Sequence, residues 1–320
     1  MTLMEPVSEE SFYDLIDRSF PKEHSALLLP RGDDCAHIKT PGELVVSTDL
    51  FLESVHFRRK YFTPRNIGHK ALSVNLSDIA AMGARPMGFS LGLMVPPDLG
   101  PGFWDEVFGG MAELAAQFDL MLTGGDVSRC QTLGFSLTIW GRPGPKGRVL
   151  KRRVGKAGDT LVMLGRPGLA RTGLSLLEEG RGPDVPGYTE SVNAHLKPRP
   201  LVNEGVGLAG LNGVHGAMDV SDGLAADLPK FLGEHGADLK IDPENLHVEI
   251  RNYCEEQGYD PAEFAVLGGE DYGLVAAVSA EAAERLLKLP DSQIIGKVRK
   301  KPGLSLNGKP FEHKGFDHFT

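Results

Sequence analysis

Cysteine is scarce. The 320-residue chain has three, Cys35, Cys130 and Cys254, far apart and with no C-x-x-C pair. An odd, scattered set cannot close a disulfide framework and offers no thiolate zinc site, so a reducing, cytoplasmic setting is expected. Basic residues are outnumbered: 34 Lys and Arg face 43 Asp and Glu, a formal net charge of −9. A protein that neutralises nucleic-acid phosphates needs a basic surface, so no nucleic-acid partner is expected. Long apolar runs are missing too. The most apolar stretch, 71–95, is interrupted by Asn75, Asp78 and Arg85, whereas a membrane span needs about 20 nearly uninterrupted apolar residues. The first residues, MTLMEPVSEE, lack a basic flank followed by an apolar run, so they do not read as a secretory signal. No membrane partner is expected.

Familiar nucleotide and catalytic signatures are also absent. Each Gly-Lys pair (155–156, 296–297, 308–309) is followed by Ala, Val or Pro, which excludes an ordinary P-loop. One G-x-G-x-x-G occurs at 205–210, but HLKPRPLVNE precedes it. A dinucleotide fingerprint needs a strand there, so these glycines read as small residues on a packed helix. No G-x-S-x-G, H-E-x-x-H or kinase H-R-D pattern is present. Neither an internal repeat of solenoid period nor a low-complexity run is found.

What is present alternates between strand-like and helical patterns. Ser8 can cap a short helix carrying Phe12, Leu15 and Ile16 on one face. Strands are predicted at 43–51, 87–95, 120–123 and 135–140, and helices at 64–82 and 103–118. The segment GRPGPKGR, 141–148, is dense in Gly, Pro and basic residues and reads as a domain boundary. Beyond it the alternation resumes: strands at 160–165, 215–222 and 272–278, helices at 169–179, 200–211, 223–235 and 279–289. Such alternation implies a mixed α/β fold in both halves, expected as domains 1–142 and 143–320.

Carboxylates recur where apolar segments end. Asp33 and Asp34 form GDD, Asp49 ends VVSTD, Asp126 ends LMLTGGD, Asp219 and Asp222 frame MDVSDG, and Glu270 and Asp271 follow two glycines. Asp78 lies in an apolar helix, with Asn75 one turn before it. Any one of these alone reads as a turn, a cap or a solvated face. As a set they suit a metal–phosphate site, because Gly lets backbone amides approach phosphate oxygens. Oxygen donors without a His/Cys cluster favour Mg²⁺ over zinc. Two unit charges 4 Å apart interact by about 4 kcal/mol at an effective dielectric of 20. Several carboxylates and a polyphosphate therefore need more than one bridging cation, if the carboxylates converge.

In this order, the motifs GDDCAHI (32–38), STDLFLESVHF (47–57), KALSVNLSDIAAMGARP (70–86), TGGDVSR (123–129), GRVLKR (147–152), AGDTLVMLG (157–165), HLKPRP (195–200), MDVSDGLAADL (218–228), LGGEDYGLV (267–275) and KGFDHF (314–319) resemble the thiamine-monophosphate kinase family. That family belongs with AIR synthetase, selenophosphate synthetase and an ATP-binding hydrogenase maturation factor. The resemblance implies two α/β domains of the AIR-synthetase-like type, an N-terminal sheet forming a barrel in a homodimer, and an ATP site in a cleft between the domains. It implies transfer of the γ-phosphoryl group of ATP to thiamine phosphate. It suggests Asp34, Ser47, Thr48, Asp49, Asp78, Asp126, Asp219 and Asp222 as Mg²⁺ ligands, Gly125, Asp126, Arg152 and Ser221 as nucleotide contacts, and His56, Glu270 and Phe316 as contacts to thiamine phosphate. The chemistry of these types is apt. Arg152 offers a charged fork to phosphate, Phe316 a stacking face, and Glu270 a counter-charge to a permanently cationic thiazolium. No protein nucleophile or general base is expected, since the acceptor phosphate oxygen is already ionised.

Two positions depart from the family pattern. Leu201 stands where an Arg usually follows the second Pro of KPRP, with Arg199 two residues earlier. Cys35 replaces a usually small residue and reads as packing, not as a nucleophile. The alternative within the superfamily is an AIR-synthetase-like, ATP-dependent amidine ring closure. The selenophosphate branch uses a reactive Cys in an N-terminal segment, and none precedes Arg31. The hydrogenase-factor branch ends in Cys, whereas this sequence ends Asp317-His318-Phe319-Thr320. From another class, a non-catalytic Mg²⁺–nucleotide binding protein would share the same ligands.

Overall fold

The computed structural model describes residues 9–32, 35–40 and 42–312. Two compact units form, one from the N-terminal part to Ile79 plus Arg85–Pro143, the other from Ala80–Ala84 plus Gly144 onward. Both are mixed α/β, as the alternation implied.

The first unit contains α1 (Glu9–Ser19), β1 (Leu27–Leu29), β2 (His37–Ile38), β3 (Val45–Leu52), α2 (Pro64–Ala81), β4 (Arg85–Val95), α3 (Pro101–Gln117), β5 (Met121–Arg129) and β6 (Gly134–Arg142). Its main sheet has the order β3-β6-β4-β5. β3 and β4 each run antiparallel to β6, and β5 runs parallel to β4. Proline opens α3 at its first turn, where its missing N–H costs nothing. Trp104, Val107, Phe108, Met111, Leu114 and Ala115 then recur at helical spacing and are buried. α1 adds Phe12 and Leu15 to this core, with the Phe12 ring edge-on to Trp104 at 5.0 Å. Ile16 is only half-buried, and Ser8, the expected cap, lies outside the described residues.

The second unit contains β7 (Thr160–Leu164), α4 (Leu169–Glu178), α5 (Thr189–Leu196), α6 (Val202–Gly210), β8 (Val214–Val220), α7 (Leu224–Leu232), β9 (Gly236–Leu239), α8 (Val248–Gln257), α9 (Pro261–Leu267), β10 (Gly273–Val278), α10 (Ala280–Leu286), β11 (Ser292–Arg299), β12 (Leu304–Leu306) and β13 (Lys309–Phe311). The sheet order is β13-β12-β9-β11-β7-β10-β8. β7 and β10 are buried along their whole length. Their uninterrupted apolar sequences, TLVML and GLVAAV, are what a strand covered on both faces requires. Short helices are fixed by local caps. Asp260 accepts from the Glu263 amide with Pro261 in the first turn of α9, and Ser279 accepts from the Ala282 amide of α10. The G-x-G-x-x-G lies within α6 and ends with it at Gly210, preceded by helix α5 and not by a strand, as expected.

Among the described residues both main sheets are open, and no helix is long and apolar enough to cross a membrane. Cys35 is exposed and sits in a bend, so the expectation that it packs is overturned. Phe12→Ala should cost about 3 kcal/mol, the usual toll for removing a buried ring. A lowered urea midpoint would record it. A loss below about 1 kcal/mol would show that α1 is peripheral to the core.

Candidate functional site

In the first unit the acidic residues do not cap strand ends as the sequence pattern suggested. Asp49 lies inside β3 and Asp126 inside β5, because LFL and VSR continue the two strands. Both are edge strands of the sheet, where a polar side chain can sit beside an apolar core without being sealed in. Strand alternation turns Ser47 and Asp49 to the same face and Thr48 to the other. Ser47 Oγ donates a short hydrogen bond to Asp78 Oδ2 on α2. Asp49 shares a further hydrogen bond with Asp78, and its pKa is pushed up to about 6 by burial first, then by the Asp78 charge and that bond. Asp78 is thus not on a solvated face. Asn75 does not join it: its Nδ2 donates back to the Ala71 carbonyl at 2.9 Å inside the core.

Thr48 pairs across the sheet with Thr138, their hydroxyls 2.8 Å apart. Its side chain therefore cannot join Ser47 and Asp49 at one ion, and only its backbone carbonyl remains as a donor. His56 follows β3. Its Nδ1 accepts from the Leu52 amide at 3.0 Å and its ring stacks on Phe51 at 5.9 Å. That bond assigns the neutral ring's proton to Nε2.

The register sets Asp49, Leu137, Leu91 and Gly125 in one row across the sheet. Asp49 and Gly125 are therefore three strand spacings apart, about 14 Å. Asp126 is the next residue along β5 and shares its face with Gly92 and Ser136. It accepts from Ser128 Oγ at 2.8 Å. Gly125 itself is demanded by the sheet: a Cβ there would lie 1.8 Å from the Leu91 carbonyl oxygen. Asp34 lies outside the described residues. Among those described, no three His, Cys, Asp or Glu side chains gather at one point. Of the residues expected to share one acidic cluster, the structure brings together Ser47, Asp49 and Asp78. That set is made wholly of oxygen donors, and it crowds two carboxyls that repel, so it fits a hard divalent cation.

In the second unit, β7 and β8 each run antiparallel to β10. The C-terminal ends of β7 and β8 and the start of β10 therefore meet at one end of the sheet. The SDG turn after β8 and the GGED turn before β10 interlock there. Glu270 N donates to the Ser221 carbonyl at 2.7 Å, and Tyr272 N to that of Val220 at 2.9 Å. Gly223 has φ of +95°, and a Cβ on it would press on the Gly268 carbonyl at 2.9 Å, which explains glycine in SDG. Asp219 is buried, with the Arg152 guanidinium 3.9 Å from its Oδ1. Asp222 is ion-paired to Lys230 at 2.6 Å.

Asp227 and His195, at this end, escaped the sequence reading as functional positions, and Asp271 was read only as one of the carboxylate set. Asp227, wholly buried, accepts from the amides of Ser221 and Asp222 and pairs with Lys230 Nζ at 3.0 Å. Burial raises its pKa despite those partners. Asp271 accepts from the Gly168 and Ala170 amides at 2.7 and 3.0 Å, capping α4 from another part of the chain. Burial pushes its carboxyl up to about 7 against the pull of those donors. His195 lies 2.8 Å from Glu270. The usable signal for Asp227 was its place five residues after Asp222, where a carboxylate can fold back on the turn amides. Leu201, where the family has Arg, is buried at the start of α6. Arg199 does not replace that Arg, since its guanidinium pairs with Glu204 at 2.8 Å. Phe316 lies outside the described residues.

Comparison with known proteins agrees with this organisation. AIR synthase related protein, N-terminal domain, matches residues 32–142, and its C-terminal-domain counterpart matches 156–309. Thiamine-monophosphate kinase of Aquifex aeolicus (strain VF5) is 31% identical over 291 residues, covering 90% of this chain and 92% of that protein. The chain belongs to the thiamine-monophosphate kinase family. Among solved structures, thiamine-monophosphate kinase from Stenotrophomonas maltophilia K279a superposes with a TM-score of 0.82 at 31% identity, covering 96% of this chain and 98% of that one. A structure described as AaThiL complexed with AMPPCP and TMP gives a TM-score of 0.79 at 29% identity, covering 97% of each chain. As a member of the thiamine-monophosphate kinase family, the chain has the two-domain AIR-synthase-like fold.

The Asp49–Asp78 pair makes a stability prediction for the metal-free protein. With its folded pKa raised from 3.8 to about 6, Asp49 binds its proton more tightly in the native state than in the unfolded one. The native state therefore loses relative stability as pH rises from about 4 to about 6, and the cost is complete above that window. Asp49→Asn removes the cost. In chelator it should stabilise the chain by about 1–2 kcal/mol at pH 8, after discounting for partial exposure. The gain should vanish near pH 4, and paired melting curves at the two pH values test this.

Proposed function

We propose that this chain is a phosphotransferase that moves the γ-phosphoryl group of ATP onto the phosphate of thiamine phosphate, giving ADP and thiamine diphosphate. The observation that carries the reading is the crowded Ser47–Asp49–Asp78 oxygen set in a chain of this family. An acceptor phosphate oxygen forms the new bond to the γ-phosphorus as the bond to the β-phosphate oxygen breaks. That oxygen is already ionised, so no side chain has to remove a proton, and positioning with charge compensation supplies the catalysis.

Ser47, Asp49, Asp78 and the Thr48 carbonyl would hold Mg²⁺ in the first unit, with Asp126 and Asp34. Asp219 and Asp222 would do so in the second. Mg²⁺, when bound, would offset charge on the phosphate oxygens. Arg152, Ser221, Gly125 and Asp126 are assigned to the nucleotide. Arg152 suits this role because its half-exposed guanidinium can contact a phosphate without leaving Asp219. Lys230 would have to release Asp222 for a metal to bind there. His56, Glu270 and Phe316 are assigned to thiamine phosphate. A soluble cytoplasmic setting fits this chemistry. The domains are proposed to divide at 142/143.

The proposed enzyme is a homodimer joined through the first unit's sheet into a barrel. Val46 and Leu50, on the Thr48 face of β3, are 59% and 52% exposed, an unusual fraction for large apolar side chains on a sheet face. Asp49 and Asp126 stand at opposite sheet edges and on opposite faces, too far apart to serve one cation within a chain. A second copy whose β5 edge meets this β3 edge would bring its own Asp126 to within about one strand spacing along the sheet, leaving only the sheet's thickness for a cation and its phosphate to bridge.

Incubation of ATP, thiamine phosphate and Mg²⁺ with the chain should yield thiamine diphosphate by mass spectrometry, and chelator should abolish it. Asp78→Asn should lower kcat by about a hundredfold or more. Product formed only from a formylglycinamidine ribotide, or bound ATP with no product, would overturn the reading. For the dimer, Asp49→Asn and Asp126→Asn chains should each be inactive, yet co-refolded they should regain about a quarter of wild-type turnover, because half of the randomly formed dimers carry one intact composite site. No recovery would refute sharing.

A further inference from the structure

His195 occupies the last turn of α5, and its side chain is 2% exposed. Its Nδ1 lies 2.8 Å from Oε2 of Glu270, whose side chain is 23% exposed. A buried imidazole beside a partly open carboxylate is a support for that carboxylate, because only the carboxylate has surface left to offer a ligand.

Both partners are held firmly. α5 is pinned at its start by Glu249, whose carboxylate accepts from the Glu190 and Ser191 amides at 3.2 and 2.7 Å. The Ser191 carbonyl packs so tightly on α4 that a Cβ at Gly173 would lie 2.1 Å from it. On the other side, Glu270 sits in the left-handed region with φ of +64°, its amide bonded to Ser221. The next residue, Asp271, is locked onto the start of α4. The backbone of Glu270 is therefore fixed from both directions, and His195 fixes what remains, the torsions of its side chain. A glutamate left to itself loses rotamer freedom when it binds. One oriented beforehand has already met that cost.

We propose that His195 is a positioning residue that donates its Nδ1 proton to Glu270 and so aims an ionised carboxylate at the permanent positive charge of the acceptor substrate. The inference rests on the assignment of Glu270 to thiamine phosphate made above and extends it to what selects the cationic acceptor. The neutral ring serves best, since a donated proton orients Glu270 without cancelling the charge that meets the cation. The position of the donor is decisive. An Asn side chain can present N–H near the place of Nδ1, whereas Gln presents it near Nε2.

Steady-state kinetics on the full chain provide the test. His195→Gln should raise KM for thiamine phosphate about tenfold while KM for ATP moves less than about twofold, and His195→Asn should recover most of that loss. Equal rises in both KM values, or identical behaviour of Gln and Asn, would reduce His195 to a structural residue and overturn the proposal. A second measurement needs no substrate. In ¹⁵N spectra of the histidine rings, Glu270→Ala should shift the His195 Nδ1 resonance strongly; an unmoved resonance would overturn the contact itself, even where the Gln variant folds poorly. Failure of the unaltered chain to make thiamine diphosphate would overturn the function proposed above and the selectivity drawn from it. The ring spectrum would still decide the pair.

Discussion

Two carboxyl groups held against each other in a half-buried corner set the terms for the rest of the first unit. Like charges about 4 Å apart repel by about 4 kcal/mol at an effective dielectric of 20. Asp49 and Asp78 cannot relieve this by moving apart, because each belongs to an element fixed by apolar packing. β3 is bonded along its length to β6, and α2 buries Ile67, Ala71, Leu72, Leu76 and Ile79 completely. Every influence on Asp49 pushes the same way: burial, the neighbouring charge and the shared hydrogen bond. Folding energy is thereby stored as unmet negative charge. A proton discharges it in acid, and a divalent cation, if bound, would do so at neutral pH.

The second unit treats its acids differently. Asp222 and Asp227 share Lys230, and Asp219 has Arg152 nearby. Asp227 and Asp271 are each fed by two backbone amides. These groups are compensated inside the chain, and two of them do structural work. Asp227 shapes the SDG turn and Asp271 caps α4. Local composition therefore misleads here: in LGGEDY the two adjacent acids have separate roles, one oriented beside a histidine and one locked to a helix start.

Much of the fold was legible because its central strands are extreme. TLVML and GLVAAV have no polar interruption, and α3 repeats its large apolar residues at helical spacing, so period and burial agree. The poorly legible elements are those stabilised from outside themselves. α5, TESVNAHL, has few apolar residues and takes its N-terminal cap from Glu249, far along the chain. β11 is bent at Gly296, whose register slips against β7, which breaks the alternation a reader would look for. At the site, residue types were legible and neighbourhoods were not. Ser47, Thr48 and Asp49 are consecutive, yet the pleat sends the middle one to Thr138. Asp49 and Asp126 look equivalent in sequence and lie at opposite edges of one sheet.

The edge position of both strands is also what the proposed chemistry would require. A central strand such as β6 has neighbours on both sides, and its Phe135, Leu137 and Ile139 are fully buried. A carboxylate there would meet apolar side chains and be neutralised or expelled. An edge strand leaves one flank open, so an acid can remain hydrated in the free chain and still be drawn into a closed site by a ligand or a second copy. The same open flank is a hazard for uncontrolled pairing. Asp49 on β3 and Asp126 and Arg129 on β5 are charges of the kind that restrain uncontrolled pairing at sheet edges.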